Sequence, residues 1–396
     1  MNLRKLQIVW AYLIIFIMCM LTGGDWCAIN SKFQLITNAV LLLLSVVPLI
    51  KMFCSIRYVK LNYFIIPSIV LIFLIINTYQ ISYFITFIIK FYCVLASIYY
   101  FKNKNIDYIN VLMNLIYFLA ITSLLFYLCI VVLKIDIPYQ SYLMNGVEHR
   151  NYFFLFFSNQ YINIGNIKII RNNSIFWEPG MFQIYINIAL FYELFFKNKF
   201  RINRVIIFIV TLMTTTSTTG IIVLIIIILL KIIHCNSENK FLNIIKIFPI
   251  ITLLLTTVIY IVKIINYKKT TAIMSYSARS NDFFIGIKLF IMKPFNGWGF
   301  LNYDIYNKYA NTTLGNSNGL VSLAFQMGLI GLIIYIFLSY KLYIFLIQKY
   351  KNKLYAIYFV LILIVMNLTE PITYLCINLL FLLSGLFLDE RRGEVL

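Results

Sequence analysis

The segment Arg171-Asn172-Asn173-Ser174-Ile175-Phe176-Trp177-Glu178-Pro179-Gly180 gathers the side chains best suited to chemistry. An arginine presents a planar fork that matches two phosphate oxygens, so Arg171 is a candidate for holding a phosphate or pyrophosphate. Glu178, near a membrane interface, is costly unless paired or wet, which marks it as a candidate. It could equally pair with Arg171 or lie as a carboxylate at a helix N-terminus, where negative charge is stabilised. A second group follows at Arg279 and Asp282, with the same pairing of cation and carboxylate. Arg150, beside His149, is a weaker third cation, and a lone loop histidine is more often structural than catalytic. Asn316 and Asn318 add amides ahead of an apolar run, and Lys90 lies inside another. An ionisable group at such a depth is a functional candidate, contacting lipid phosphate or lining a cavity, unless it snorkels or pairs with a neighbouring helix. Two histidines and scattered cysteines without a CxxC pair leave no metal-binding pattern.

These residues are carried by a chain that must lie in a membrane. Of 396 residues, 62% are hydrophobic and only 12% charged, half of what a soluble domain needs to cover its surface. Apolar runs at about 6–22, 34–50, 62–78, 82–101, 108–133, 175–196, 205–217, 220–233, 247–265, 318–339, 354–369 and 373–388 predict about twelve transmembrane helices. The expected fold is therefore an all-α polytopic integral membrane protein, read as a single membrane domain over 1–396. The first run lacks a small-residue cleavage site and reads as a retained helix. Thr214 to Gly220 interrupts an apolar stretch flanked by Arg204 and Lys231, and predicts two short helices in a hairpin.

Lysine and arginine collect in alternate connections, among them Lys51, Arg57 and Lys60; Lys197, Lys199, Arg201 and Arg204; and Lys341, Lys349, Lys351 and Lys353. By the positive-inside rule these face the cytoplasm, which places both termini there. The formal charge of +20 is explained by this distribution and by anionic lipid, and no basic aromatic face suggests nucleic acid. The opposite side then holds two long extracytoplasmic loops, 134–174 and 266–317. Their aromatic content (Tyr139, Tyr142, Phe153, Phe154, Tyr276, Phe283, Trp298) marks folded caps rather than linkers, including interfacial amphipathic helices. Residues 280–295 have helical spacing. Lys168, Lys268, Lys269, Lys288 and Lys293 in these loops read as solvated surface.

Four segments in register resemble the O-antigen polymerase/O-antigen ligase (Wzy/WaaL) superfamily over residues 165–340. Arg171 to Gly180 is similar to its Arg…Glu-Pro-Gly signature, and Thr214 to Gly220 to its Thr/Ser-rich break ahead of a helix. Arg279 to Asp282 with Pro294, Gly297 and Gly299 resembles its Arg…Pro-x-x-Gly-x-Gly loop. Asn316 and Asn318 with Gly328 and Gly331 resemble the Asn-containing start and Gly-Leu-x-Gly continuation of the next helix.

The resemblance implies a GT-C-like enzyme of the bacterial inner membrane, acting at its extracytoplasmic face. The implied reaction is a metal-independent, inverting glycosyl transfer without cofactor. Undecaprenyl-pyrophosphate-linked oligosaccharide is the implied substrate, and a chain-length regulator protein the implied partner. In that scheme Arg171 and Arg279, with Arg150 third, stabilise the departing pyrophosphate; Glu178, or else Asp282, is the base. Asn316, Asn318 and Lys90 join the substrate-binding set.

The polymerase is favoured over the ligase because Asn316-Ser317-Asn318 lacks the histidine that ligases share there. The spacing from Arg171 to Gly180 is nonetheless shorter than the polymerase pattern. A lipid-linked oligosaccharide flippase is the non-enzyme alternative, but no internal repeat of the transporter type is visible.

Overall fold

In the computed structural model the described residues are 3–54, 68, 78–144, 147–164, 167–234, 273–312 and 315–387. The expected spans at 62–78 and 247–265, together with Lys268 and Lys269, lie almost wholly outside them. Every other expected span coincides with a helix. Five helices are long and apolar enough to cross a membrane: Arg4–Gly23, Ser31–Cys54, Ile81–Asn103, Tyr108–Val132 and Gly319–Tyr350. Shorter apolar helices occupy Ile202–Thr215, Thr218–His234, Lys353–Thr369 and Cys376–Phe387. The protein is a helical, membrane-embedded chain. Its residues divide into two compact units, Met1–Leu112 with Ala278–Leu396, and Met113–Ser277.

Within the first unit, α1 (Leu3–Gly23), α2 (Asp25–Ile29) and α3 (Ser31–Cys54) pack together, and α3 lies against α4 (Ile81–Asn103). Helix α5 (Tyr108–Tyr127), which leads into the second unit, ends in a π-helical turn at Leu128–Val132. The connection that follows departs from expectation. Instead of interfacial helices, 134–174 forms two small antiparallel sheets: β1 (Gln140–Met144), β2 (Val147–Tyr152) and β3 (Phe156–Ser158), then β4 (Tyr161–Ile164) and β5 (Ile167–Ile170). Phe156 of β3 stacks on Phe126 of α5, with ring centroids 5.9 Å apart. Tyr152, Phe156 and Phe157 are therefore core, whereas Tyr139, Phe153 and Phe154 are exposed.

Helix α6 (Pro179–Phe191) begins with proline at its first position, where the missing N–H costs nothing, and is buried on every side. Helices α7 (Ile202–Thr215) and α8 (Thr218–His234) are the expected hairpin, separated by Thr216 in the left-handed region at φ 49°. Gly220 allows α8 to approach α6. A Cβ there would stand 2.9 Å from the Gln183 Cβ, and its carbonyl accepts from Asn187 Nδ2 at 3.2 Å. Small residues serve this purpose where apolar attraction between helices is weak.

In the first unit, α9 (Ile273–Met292) replaces the expected helix at 280–295 with one that starts earlier and stops before Pro294. It is followed by α10 (Tyr303–Ala310) and the long α11 (Gly319–Tyr350). Helix α11 breaks at Gly328, whose φ of 63° and ψ of −158° belong to glycine. Broken backbone in a membrane span needs protein partners. The segment after Pro294 supplies them: Trp298 N donates to Phe325 O at 2.8 Å, Gly299 N to Gln326 O at 3.0 Å, and Leu329 N donates to Pro294 O at 2.6 Å. The glycines at 297, 299 and 328 therefore have a common mechanical purpose, docking this segment on an interrupted helix. Helices α12 (Lys353–Thr369) and α13 (Cys376–Ser384) pack against α11.

Candidate functional site

Each unit holds one of the two cation-carboxylate groups. In the Met113–Ser277 unit, Arg171 follows β5, and its guanidinium is spread over the break between α7 and α8. Nε donates to Thr215 O and Thr216 Oγ1, both at 3.0 Å, and Nη1 donates to Gln160 Oε1 at 2.6 Å. The break frees backbone carbonyls, and a fork with several donors satisfies them together. Asn172 extends the clasp, its amide donating to Thr214 Oγ1 at 2.9 Å and to Ser123 Oγ at 3.1 Å. The polar Thr/Ser run is thus the receptor for Arg171 and Asn172.

Glu178 is the N-cap of α6 in extended conformation, and its carboxylate accepts from Trp177 Nε1 at 3.1 Å. Arg171 and Glu178 are therefore engaged separately: the arginine with Gln160 and the threonine break, the carboxylate with its neighbouring indole. Asn159 ties His149 of β2 to Asn173 and Trp177 of the segment before α6. Its amide donates to Trp177 O at 2.5 Å, its carbonyl accepts from Asn173, and it lies 3.3 Å from His149 Nδ1. His149 is buried and stacked on Tyr142, as the structural reading of a loop histidine anticipates. Arg150 pairs with Glu148 at 3.1 Å and lies over the Tyr139 ring at 4.8 Å. That bond to Glu148 holds its guanidinium more firmly in the charged form.

In the other unit, Arg279 and Asp282 occupy α9 but have different work. Arg279 Nη2 donates to Glu370 Oε1 at 3.1 Å and Nη1 to Thr369 O at 3.3 Å. The guanidinium side is 46% exposed and the carboxylate 2%. Asp282 accepts from the Tyr306 hydroxyl, from Ser317 N at 3.0 Å and from the Ser317 hydroxyl. Three donors on one buried carboxylate make Asp282 a lock joining α9, α10 and the start of α11. This geometry gives it a positioning part rather than that of a base open to substrate. Burial, and then Asp282 itself, push the Tyr306 phenol upward, so it remains a donor.

The two asparagines are also structural in their contacts. Asn316 Nδ2 donates to Asp282 O at 2.7 Å, while Asn318 Oδ1 caps α11 by accepting from Val321 N at 3.0 Å. Gly319 follows. A Cβ there would stand 2.6 Å from Thr373 Oγ1 and 2.8 Å from Glu370 O, so the start of α11 is pressed against the 367–373 turn. That turn is held by Thr373 Oγ1 donating to Asn367 Oδ1 at 3.1 Å and Asn378 Nδ2 to Thr373 O at 3.0 Å.

Lys90 is 9% exposed, midway along α4. It pairs with no carboxylate among the described residues. Nor does any group of three or more His, Cys, Asp or Glu suited to a metal ion occur among them. The sequence matches no protein-family model and no curated protein.

Glu370 and Gln160 are the partners that sequence reasoning passed over. Glu370 did carry a signal, since an isolated carboxylate between two apolar runs is costly unless paired. Gln160 carried none; only the fold brings it to Arg171.

Proposed function

We propose that the protein is a membrane polysaccharide polymerase, transferring a growing glycan from its lipid pyrophosphate onto the next lipid-linked repeat unit. The observation that carries this reading is the posture of Arg279. One edge of its fork is anchored by a buried carboxylate while nearly half its side chain faces outward, a cation held in place for an external anion. A departing pyrophosphate gains most from charges fixed before reaction, because no reorganisation is then needed. In the other unit Arg171 is held by Gln160 and Thr216, and Glu178 caps α6; the resemblance gives these two the parts of a phosphate-binding cation and a base. The sequence resemblance supports the same substrate class, with the reaction at the extracytoplasmic face of a bacterial inner membrane.

The test is a gel of surface polysaccharide from the host with the gene deleted. Loss of long chains, with single repeats still attached to lipid A-core, is the expected result. Long polymer stranded on the lipid carrier would mean a ligase. Single lipid-linked repeats accumulating on the cytoplasmic face would mean a flippase.

A further inference from the structure

The β2–β3 turn at Phe153-Phe154-Leu155 is built against the ordinary preferences of a tight turn. Phe153 and Phe154 take positive φ of 52° and 62°, a conformation suited to glycine or asparagine. Yet the residues there are bulky and apolar, and they face outward: Phe153 is 61% exposed, Phe154 45% and Leu155 42%. The turn is firmly made all the same. Asn151 Oδ1 accepts from Phe154 N at 2.8 Å, and Leu155 N donates to Tyr152 O at 3.1 Å.

Its neighbours fix its depth. Phe156, the next residue, stacks on Phe126 of α5 at 5.9 Å with the rings 10° from parallel. The apolar run of α5 continues past Phe126 to Val132 and Leu133, and the first charge is Lys134. Phe126 precedes that end by six residues, so the stack lies inside the end of an apolar, membrane-length helix. Phe118, Leu125 and Val132 of that helix are exposed, as are Leu133 and Ile135 after it and all three residues of the turn.

From this exposed apolar turn, one residue from the Phe156–Phe126 stack, we infer that Phe153–Leu155 is a wedge inserted into the interfacial zone of the bilayer. It anchors the β1–β3 sheet at the membrane surface. Aromatic side chains favour that zone, and a turn left in water would bear both the backbone strain and three solvated apolar groups. The inference is independent of the reaction proposed above.

The test uses the unmodified full chain in lipid nanodiscs containing a phospholipid with a photoactivated diazirine near its headgroup. After illumination, mass spectrometry locates the label. Labelling of Phe153, Phe154 or Leu155 together with Leu125 is the expected result. Labelling of Leu125 with none at the turn would overturn the proposal. A fluorescent amino acid replacing Phe154 supplies the second measurement. Blue-shifted emission quenched by nitroxide lipids supports insertion, and emission quenched by aqueous iodide instead would overturn it.

Discussion

Arg279 Nη2 lies 3.1 Å from Glu370 Oε1, a contact that joins α9 to the turn after α12 across 91 residues of sequence. The carboxylate is buried and the guanidinium is not, so the two halves of the pair are unequal. The arginine can be removed into solvent, but the carboxylate has no such option.

Arg279→Ala is therefore expected to destabilise the fold by about 1–2 kcal/mol, below the range for a fully buried pair because the arginine is half solvated. Adding Glu370→Gln to it should recover part of that loss. Thermal unfolding of the two single variants and the double variant closes the cycle; strictly additive losses would contradict a direct coupling.

Arg171→Lys keeps the charge but loses the fork that spans Gln160, Thr215 and Thr216. Each charge-assisted hydrogen bond lost is worth about 1.5–3 kcal/mol. We expect amide exchange to rise at Thr214–Gly220 while the β1–β3 sheet is unaffected, which hydrogen–deuterium exchange resolves. Unchanged protection at the threonine break would show that the clasp contributes nothing.

Gly328→Ala should be among the least tolerated substitutions in the chain. The added Cβ would stand 2.1 Å from Phe295 O, and the backbone conformation is one that only glycine adopts readily. A loss of about 3 kcal/mol or more is expected, read as failure to recover folded protein from detergent extracts. Gly315→Ala is the contrast in space: its Cβ would meet Tyr303 at an ordinary 3.5 Å, so the smaller loss expected there is that of its φ of 74° alone.

Burial of the Tyr306 phenol, reinforced by its bond to Asp282, gives a pH dependence of definite sign. The phenol is raised above its usual 10.0 in the folded protein, so the unfolded chain ionises first as pH rises. This stability is fully present below pH 10 and is lost as pH climbs above it toward the folded value. Tyr306→Phe should lower the melting temperature at neutral pH and flatten its fall between pH 9 and 11. An identical alkaline fall in both proteins would contradict the lock.

The apolar runs made the helices legible, because a chain in lipid must satisfy its backbone internally. The break at Thr216 was legible too, from the polar Thr/Ser run, whereas the helix expected over 280–295 in fact stops before Pro294. The β-strands of 134–174 were not. Their aromatic residues signal burial but do not distinguish a hairpin from an interfacial helix, and Phe153 and Phe154 are poor candidates for positive φ. Arg171, Glu178, Arg279 and Asp282 could be picked out by type, but their tasks depend on distant partners. Asp282 becomes a lock only through Tyr306 and Ser317, 24 and 35 residues away. Arg279 becomes an anchored cation only through Glu370.

The central claim is that anchored arginines promote glycan transfer from a lipid pyrophosphate. It is tested most directly with purified protein in nanodiscs given undecaprenyl-pyrophosphate-linked repeat units and no other protein. The account predicts a ladder of lengthening lipid-linked chains. It also predicts a fall of about 100-fold or more in rate for Arg171→Ala and Arg279→Ala, with each variant still folded by thermal unfolding. No chain growth by the wild-type protein, or full rates in both folded variants, would contradict it.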